Sequence, residues 1–140
     1  MENREKVQHW FDLSDYDIET AKVNLKGGRL LYVGFMCHQS VEKALKATYA
    51  EITQEVPPKI HNLNILLEKT QLVDKISEEN KDLIRELNPL NVEARYPEYK
   101  DKIWQTLSKE YCEKIIERTV DLLCWIKKQS SVMPEDSQAK

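Results

Sequence analysis

The sequence has few residues that break helices or build tight turns. It contains 3 glycines and 5 prolines among 140 residues, and neither Asn-Gly nor Asp-Gly occurs. Sustained two-residue alternation of apolar and polar side chains, which is typical of half-buried strands, is also missing. We therefore predict an all-α protein. A chain of this length forms one domain and buries enough surface to fold without disulfides.

Long apolar runs and features of secretion are lacking as well. No stretch approaches the roughly 18 apolar residues of a membrane span, and no apolar run follows the first residues, so we expect neither a membrane anchor nor a signal peptide. The 3 cysteines, Cys37, Cys112 and Cys124, cannot all pair with one another and include no Cys-x-x-Cys. A reduced, cytoplasmic protein is the simplest interpretation.

The formal net charge is −3 at pH 7. This value argues against a protein that coats long nucleic-acid duplexes with positive charge. It leaves room for a small local basic site.

Apolar residues spaced three and four positions apart predict the helices. The first runs from about residue 3 or 4 to 26, the second from about 29 to 53, the third from about 61 to 73, the fourth over Glu78–Leu87 after the N-cap Ser77, and the last from 108 to about 128. Short connections between them predict an up-and-down antiparallel four-helix bundle with an additional short helix. We assign residues 1–130 to this domain and predict a disordered tail at 131–140.

The second predicted helix organises the chain. Its first half is apolar on both sides, since Tyr32, Phe35 and Met36 lie opposite the main apolar stripe, and we expect it to be enclosed. Its second half has a polar edge with Gln39, Lys43 and Lys46. That edge is either an ordinary solvated face, which is the favoured interpretation, or a site for a phosphate or an acidic partner.

Two histidines accompany this edge. His38 flanks the apolar stripe, where a histidine is usually a core residue hydrogen-bonded to a neighbour. His61 lies at a helix entrance after Pro57-Pro58, where it orients the turn or takes part in chemistry. A metal site from these two residues would need further ligands, and none is suitably spaced. We predict no metal and no cofactor.

Residues 88–103 form the least regular predicted segment. Pro97 biases the preceding residue away from the α region, so we expect Arg95, Tyr96 and Tyr99 on non-helical backbone. Arg95 can grip a phosphate with two hydrogen bonds or pair with neighbouring glutamates, and the tyrosines can stack on a base or fill gaps between helices. Motifs of familiar nucleophilic enzymes and Gly-rich phosphate loops are missing.

Three ordered motifs resemble the HEPN domain family. They are HQSVEKALKA at residues 38–47, His61-Asn62-Leu63, and Ala94-Arg95-Tyr96-Pro97. The resemblance covers roughly residues 5–128. It implies an all-α bundle that often forms homodimers, a role in nucleotide or RNA transactions, and, for many small prokaryotic members, pairing with a separate minimal nucleotidyltransferase as a toxin–antitoxin module.

Active members of this family are metal-independent ribonucleases with an Arg-x(4–6)-His motif, and this sequence departs from it. No histidine follows Arg95, and Arg4 with His9 matches the spacing only at the start of the first helix. The favoured hypothesis is a nucleotide-binding or interaction partner of a nucleotidyltransferase, with Gln39, Lys43, Lys46, Arg95, Tyr96 and Tyr99 as candidate ligand contacts. The alternatives are a ribonuclease toxin that uses Arg95 and His61, and a plain oligomerisation module.

Overall fold

A computed structural model of the chain describes residues 2–91 and 97–132. The described helices are α1 (Glu2–Lys26), α2 (Leu30–Thr53), α3 (Leu63–Lys69), α4 (Glu78–Leu87), α5 (Pro97–Thr106) and α6 (Lys109–Lys128), with a 3-10 turn at Asn88–Leu90. No strand occurs among these residues. The predicted all-α bundle is confirmed, with α1, α2 and α6 as its long helices and α3 and α4 sharing the third position.

The central position of α2 follows from its neighbours. It contacts all five other helices, and its contact with α1 is the most extensive in the fold. The hairpin between α1 and α2 closes through a Schellman motif, in which Gly28 adopts a positive φ of 75° and the Arg29 amide donates to the Asn24 carbonyl at 2.8 Å. This tight turn makes the two helices antiparallel.

The two halves of α2 differ from the prediction. Tyr32 in the first half is exposed, and Leu31, Phe35 and Met36 are only partly buried. In the second half every residue from 44 to 48 is buried, including the Lys46 of the predicted polar edge. The first half is therefore less enclosed than expected, and the predicted polar edge of the second half is buried at Lys46 and only partly exposed at its other positions.

Short polar side chains cap the later helices as the sequence predicts. The Ser77 hydroxyl accepts a hydrogen bond from the Asn80 amide at the start of α4, and the Ser108 hydroxyl accepts one from the Tyr111 amide at the start of α6. The predicted bounds of α4 are confirmed, and α6 begins one residue later than predicted.

Helix α5 was not predicted. The sequence suggested irregular backbone from residue 88 to 103, yet Pro97–Thr106 is helical. A proline is well suited to the first position of a helix, since its missing amide proton has no intrahelical partner there. Only Ile103 of α5 is buried, which explains why no apolar stripe marks this helix in the sequence.

The segment after α6 is held against the start of α1 and the end of α2. The Glu51 carboxylate of α2 accepts hydrogen bonds from the Ser130 hydroxyl at 2.7 Å and the Ser131 amide at 3.0 Å. The Arg4 guanidinium donates to the Val132 carbonyl at 3.1 Å. The predicted tail at 131–140 includes two described residues, and Val132 is buried. Its remainder, 133–140, lies outside the described residues and stays a prediction.

Candidate functional site

A buried polar cluster lies against the second half of α2. It consists of His38, Glu42 and Lys46 of α2 and His61 of the connection that leads to α3. The first three recur at intervals of four residues and so lie one above another on one face of the helix. His38 is fully buried, Glu42 is 2% exposed and Lys46 is 6% exposed. Because Lys46 is buried, the interpretation of the predicted polar edge as an ordinary solvated face is wrong at this residue.

The Glu42 carboxylate is the centre of the polar cluster. Its Oε2 accepts a hydrogen bond from Lys46 Nζ at 2.8 Å, and both oxygens lie 3.0 Å from His61 Nδ1. His38 Nδ1 lies 3.8 Å from Oε1. A buried carboxylate requires such partners, since an uncompensated charge away from water is very costly.

His38 fastens the connection to α2. Its Nε2 lies 2.9 Å from the His61 main-chain carbonyl. A carbonyl only accepts hydrogen bonds, so Nε2 carries the proton. Burial lowers the pKa of the His38 imidazole below its ordinary value, which keeps the ring neutral and leaves Nδ1 as an acceptor. Gln39 is the neighbour at 3.1 Å, and its amide NH2 group supplies the donor once oxygen and nitrogen are interchanged. The prediction of a hydrogen-bonded core histidine is confirmed.

Each lysine of the predicted phosphate site is paired with a carboxylate. Lys46 pairs with Glu42, and its Nζ also lies 5.8 Å from the ring centre of Trp10 on α1. Lys43 pairs with Asp17 of α1 at 2.8 Å. Both ion pairs neutralise the lysine charges, so these side chains are poorly suited to attract an anion. The Lys43–Asp17 pair also joins α2 to α1.

Each residue of the His61-Asn62-Leu63 motif has a different role. His61 contacts Glu42, Asn62 is the N-cap of α3, and Leu63 is buried in the core. The Asn62 side chain accepts from the Asn64 and Ile65 amides. Asn88 then accepts from the Leu63 amide at 3.0 Å and donates to Asn62 Oδ1 at 3.3 Å. The motif therefore joins α2, α3 and the turn after α4.

The His61 ring is the exposed part of the cluster. Its side chain is 58% exposed, whereas that of Glu42 beneath it is 2% exposed. Nδ1 faces the carboxylate, and Nε2 makes no hydrogen bond to any other residue that the structure describes. In functional sites a carboxylate often fixes the orientation and tautomer of an imidazole in this way.

Arg95 and Tyr96 lie outside the described residues, so their relation to His61 stays a prediction. The flanking residues are described: Asn91 is buried, and Pro97 is the first residue of α5. Tyr99 is 40% exposed and lies on α5. The expectation of non-helical backbone at Tyr99 is therefore wrong, because α5 begins two residues before it.

Sequence reasoning missed Glu42 as the centre of the site and Trp10 and Asp17 as partners of the lysines. The four-residue spacing of His38, Glu42 and Lys46 was a signal for the role of Glu42. The partners of the lysines had no signal in the sequence, since a helical pattern does not say which side chains of another helix face it.

The described surface includes two grooves beside aromatic side chains. One, of about 520 Å³, lies between the start of α1 and the segment after α2, with Trp10 and Pro57 among its lining residues. The other, of about 510 Å³, is bordered by Leu30, Leu31 and Tyr32 of α2 and by Trp104 of α5, which is 60% exposed. The second groove continues the partly exposed apolar side of α2.

Other reactive groups are poorly placed for chemistry. Burial raises the pKa of the Cys37 thiol to about 12, so it stays protonated and is a weak nucleophile. No group of three or more potential metal-ligating side chains occurs in residues 2–91 and 97–132. None of the helices in those ranges combines the length and hydrophobicity that a membrane crossing needs.

Comparison with known proteins identifies the family. The sequence matches the HEPN domain family over residues 7–129, and no curated protein matches it. The crystal structure of TT1696 from Thermus thermophilus is similar in fold, with a TM-score of 0.74 and 15% sequence identity over 89% of this chain and 98% of that chain. Because the family match includes α2, the His61-Asn62-Leu63 motif and α6, this chain belongs to the HEPN domain family.

Proposed function

We propose that this protein is a nucleotide-binding interaction partner of a separate minimal nucleotidyltransferase, in a two-component module of the toxin–antitoxin type. Membership of the HEPN family supports this proposal. The observation that carries it is the absence of the ribonuclease pair, since the positions five to seven residues after Arg95 are Lys100, Asp101 and Lys102. Without a histidine there, cleavage through the family's usual pair has no proton carrier.

The partly exposed apolar side of α2 supports an interaction role. Tyr32 and Phe35 pack edge to face at 6.1 Å, and Trp104 borders the same groove. Contiguous apolar surface of this kind is often a protein-binding site. We assign it to a homodimer in the cytoplasm, and the nucleotidyltransferase would then bind the dimer elsewhere.

The proposal is tested by what binds the native protein. Purification from its own cells under mild conditions should recover a small nucleotidyltransferase in stoichiometric amount, identified by mass spectrometry. Addition of a nucleoside triphosphate should raise the melting temperature, since a ligand that binds only the folded state stabilises it by mass action. Recovery of the protein alone, with a melting temperature that nucleotides do not change, would instead support a plain oligomerisation module.

A ribonuclease is the second candidate function. The contact of Glu42 with His61 Nδ1 favours it, because it leaves Nε2 in solvent as a proton acceptor. In this alternative Arg95 would bind the scissile phosphate. Metal-free cleavage of RNA that is lost in both Arg95→Ala and His61→Ala would establish it. Cleavage unaffected by His61→Ala would remove that assignment.

A further inference from the structure

His61 is better placed to bind a ligand than to hold the fold together. The connection is already attached to α2 by the hydrogen bond from His38 Nε2 to the His61 carbonyl, and to the turn after α4 by the two bonds between the Asn62-Leu63 segment and Asn88. The His61 ring adds a further contact from a side chain that is 58% exposed.

A buried carboxylate is a costly way to make that contact. Glu42 is almost fully removed from water, and Lys46 must be buried with it to balance its charge. Replacing such a pair with apolar residues is often neutral or stabilising. Stability alone therefore explains the buried Glu42–Lys46 pair poorly. The contact of Glu42 with His61 points to a second role for the pair.

The effect of Glu42 is to fix the tautomer of His61. A carboxylate accepts hydrogen bonds, so the proton of the neutral ring lies on Nδ1, which is 3.0 Å from both Glu42 oxygens. Nε2 then presents a lone pair to solvent. In this state Nε2 accepts hydrogen bonds and does not donate them. Its ligand must bring a donor, such as a hydroxyl group, whereas the oxygens of a phosphate dianion are acceptors and do not match it.

We propose that His61 Nε2 accepts a hydrogen bond from a ribose hydroxyl of a bound nucleotide or RNA, and that Glu42 is its positioning residue. This inference rests on the proposed nucleotide binding and gives it a contact atom. It also moves the contact away from Lys43 and Lys46, whose charges are balanced by Asp17 and Glu42. The protein should consequently distinguish ribonucleotides from their deoxy counterparts.

The test is a set of calorimetric titrations of the full chain at pH 7.5. The four ribonucleoside monophosphates are compared with their 2′-deoxy and 3′-deoxy forms. At least one ribonucleotide should bind about fivefold or more tightly than one of its deoxy forms, the loss expected for one hydrogen bond. His61→Phe, which keeps an exposed ring, should bind both forms equally. Lys43→Gln, in which the altered side chain lies outside the contact, should keep the wild-type preference.

NMR adds a measurement that would not change if His61 had only a structural role. The ¹⁵N resonance of His61 Nε2 should shift on addition of the ribonucleotide and shift less with the deoxy form. Equal binding of both forms by the wild type, or a preference that persists in His61→Phe, would overturn the inference while leaving nucleotide binding intact. No binding of any monophosphate at millimolar concentration would overturn both the inference and the proposed nucleotide binding.

A parallel pair of oligomers shows whether the ribose hydroxyl belongs to RNA or to a free nucleotide. Short single-stranded RNA and DNA of the same sequence are titrated in the same way and examined for cleavage. A preference for RNA without cleavage, lost in His61→Phe, supports the hydroxyl contact with RNA as the source. Preference confined to the mononucleotides supports the free nucleotide.

Discussion

The two halves of α2 reverse the usual relation between side-chain polarity and burial. Residues 30–36 are mostly apolar, yet Tyr32 is 38% exposed, and Leu31, Phe35 and Met36 are only partly covered. Residues 38–46 include two charged side chains and a histidine that are almost fully buried. An apolar surface left open and a polar surface enclosed both cost free energy, so both are expected where function requires them. The open half is suited to a partner protein, and the enclosed half holds His61.

The largest effect should come from breaking the enclosed ion pair. Lys46→Met leaves the Glu42 carboxylate buried without its ammonium partner, and we expect a loss of about 3 kcal/mol in the free energy of unfolding. Urea denaturation measures it. Lys43→Met is the matched control one turn earlier, because its ion pair with Asp17 is more exposed, and it should lose about 1 kcal/mol or less. Equal losses would contradict the difference in burial.

A double variant sharpens this result. Glu42→Leu combined with Lys46→Met removes both charges together and should recover most of the stability that Lys46→Met loses. A double variant as unstable as the single one would mean that the polar cluster holds the fold together, contrary to the role proposed for Glu42.

The next effect is a dependence of stability on pH. The folded-state pKa of His38 is lowered by burial from its ordinary value near 6.5. As pH falls below about 6.5, the unfolded chain takes up a proton that the buried ring does not, so the free energy of unfolding falls, and it continues to fall until the pH reaches the folded pKa. The maximal slope for one proton is about 1.4 kcal/mol per pH unit.

The variant His38→Gln isolates this contribution, because its amide nitrogen can still donate to the His61 carbonyl. Glu42 and His61 are the titratable groups that face His38, and both are unchanged in the variant. Denaturation midpoints between pH 7.5 and 5 should fall less steeply for the variant than for the wild type. Parallel curves would refute a buried neutral His38.

A smaller effect is expected in the open half. A methyl group at Gly34 would lie 3.0 Å from Leu90 Cδ1 and 3.4 Å from Leu90 Cβ. Overpacking costs about 1–3 kcal/mol, and the gain in helix propensity over glycine offsets about 1 kcal/mol. Gly34→Ala should therefore destabilise the protein by about 1 kcal/mol. Most of that loss should disappear when Leu90→Val is present, and additive losses in the double-mutant cycle would argue against this contact.

The smallest effect on stability should come from the exposed aromatic ring of α2. Tyr32→Asp should change the free energy of unfolding by less than about 1 kcal/mol, but it should convert the proposed homodimer to a monomer in light scattering. Tyr16→Asp, at a ring 72% exposed on α1, is the control and should leave the mass unchanged. A dimer that survives Tyr32→Asp and dissociates in Tyr16→Asp would place the interface on α1.

The sequence predicts the helices better than it predicts their neighbours. Periodicity and caps give α1, α2, α4 and α6 to within about two residues, since both depend on nearby residues. Helix α5 has no such signal, because only Ile103 is buried and the rest of its surface is polar or exposed. Pro97 at its first position is the remaining clue, but a proline also predicts non-helical backbone at the residue before it.

The candidate functional site shows more clearly that contacts between elements are harder to predict from the sequence than the elements themselves. The sequence identifies His38, His61 and the lysines of α2 as unusual, but it does not say that the connection after Pro57-Pro58 folds back over their face. That contact, together with the packing of α1 against Lys46, encloses the polar cluster, and it selects Glu42 as the partner of His61. Arg95 and Tyr96 stay predictions, because they lie outside residues 2–91 and 97–132.

The central claim is that the enclosed half of α2 fixes His61 through Glu42, and ¹⁵N NMR of the imidazole rings above pH 7.5 tests it most directly. The hydrogen bonds give the two histidines opposite tautomers: Nε2 is protonated in His38, since it donates to a carbonyl, and Nδ1 is protonated in His61, since it donates to Glu42. The account predicts these opposite assignments in the free protein. A protonated Nε2 in both rings, or a His61 ring that averages between tautomers, would contradict it.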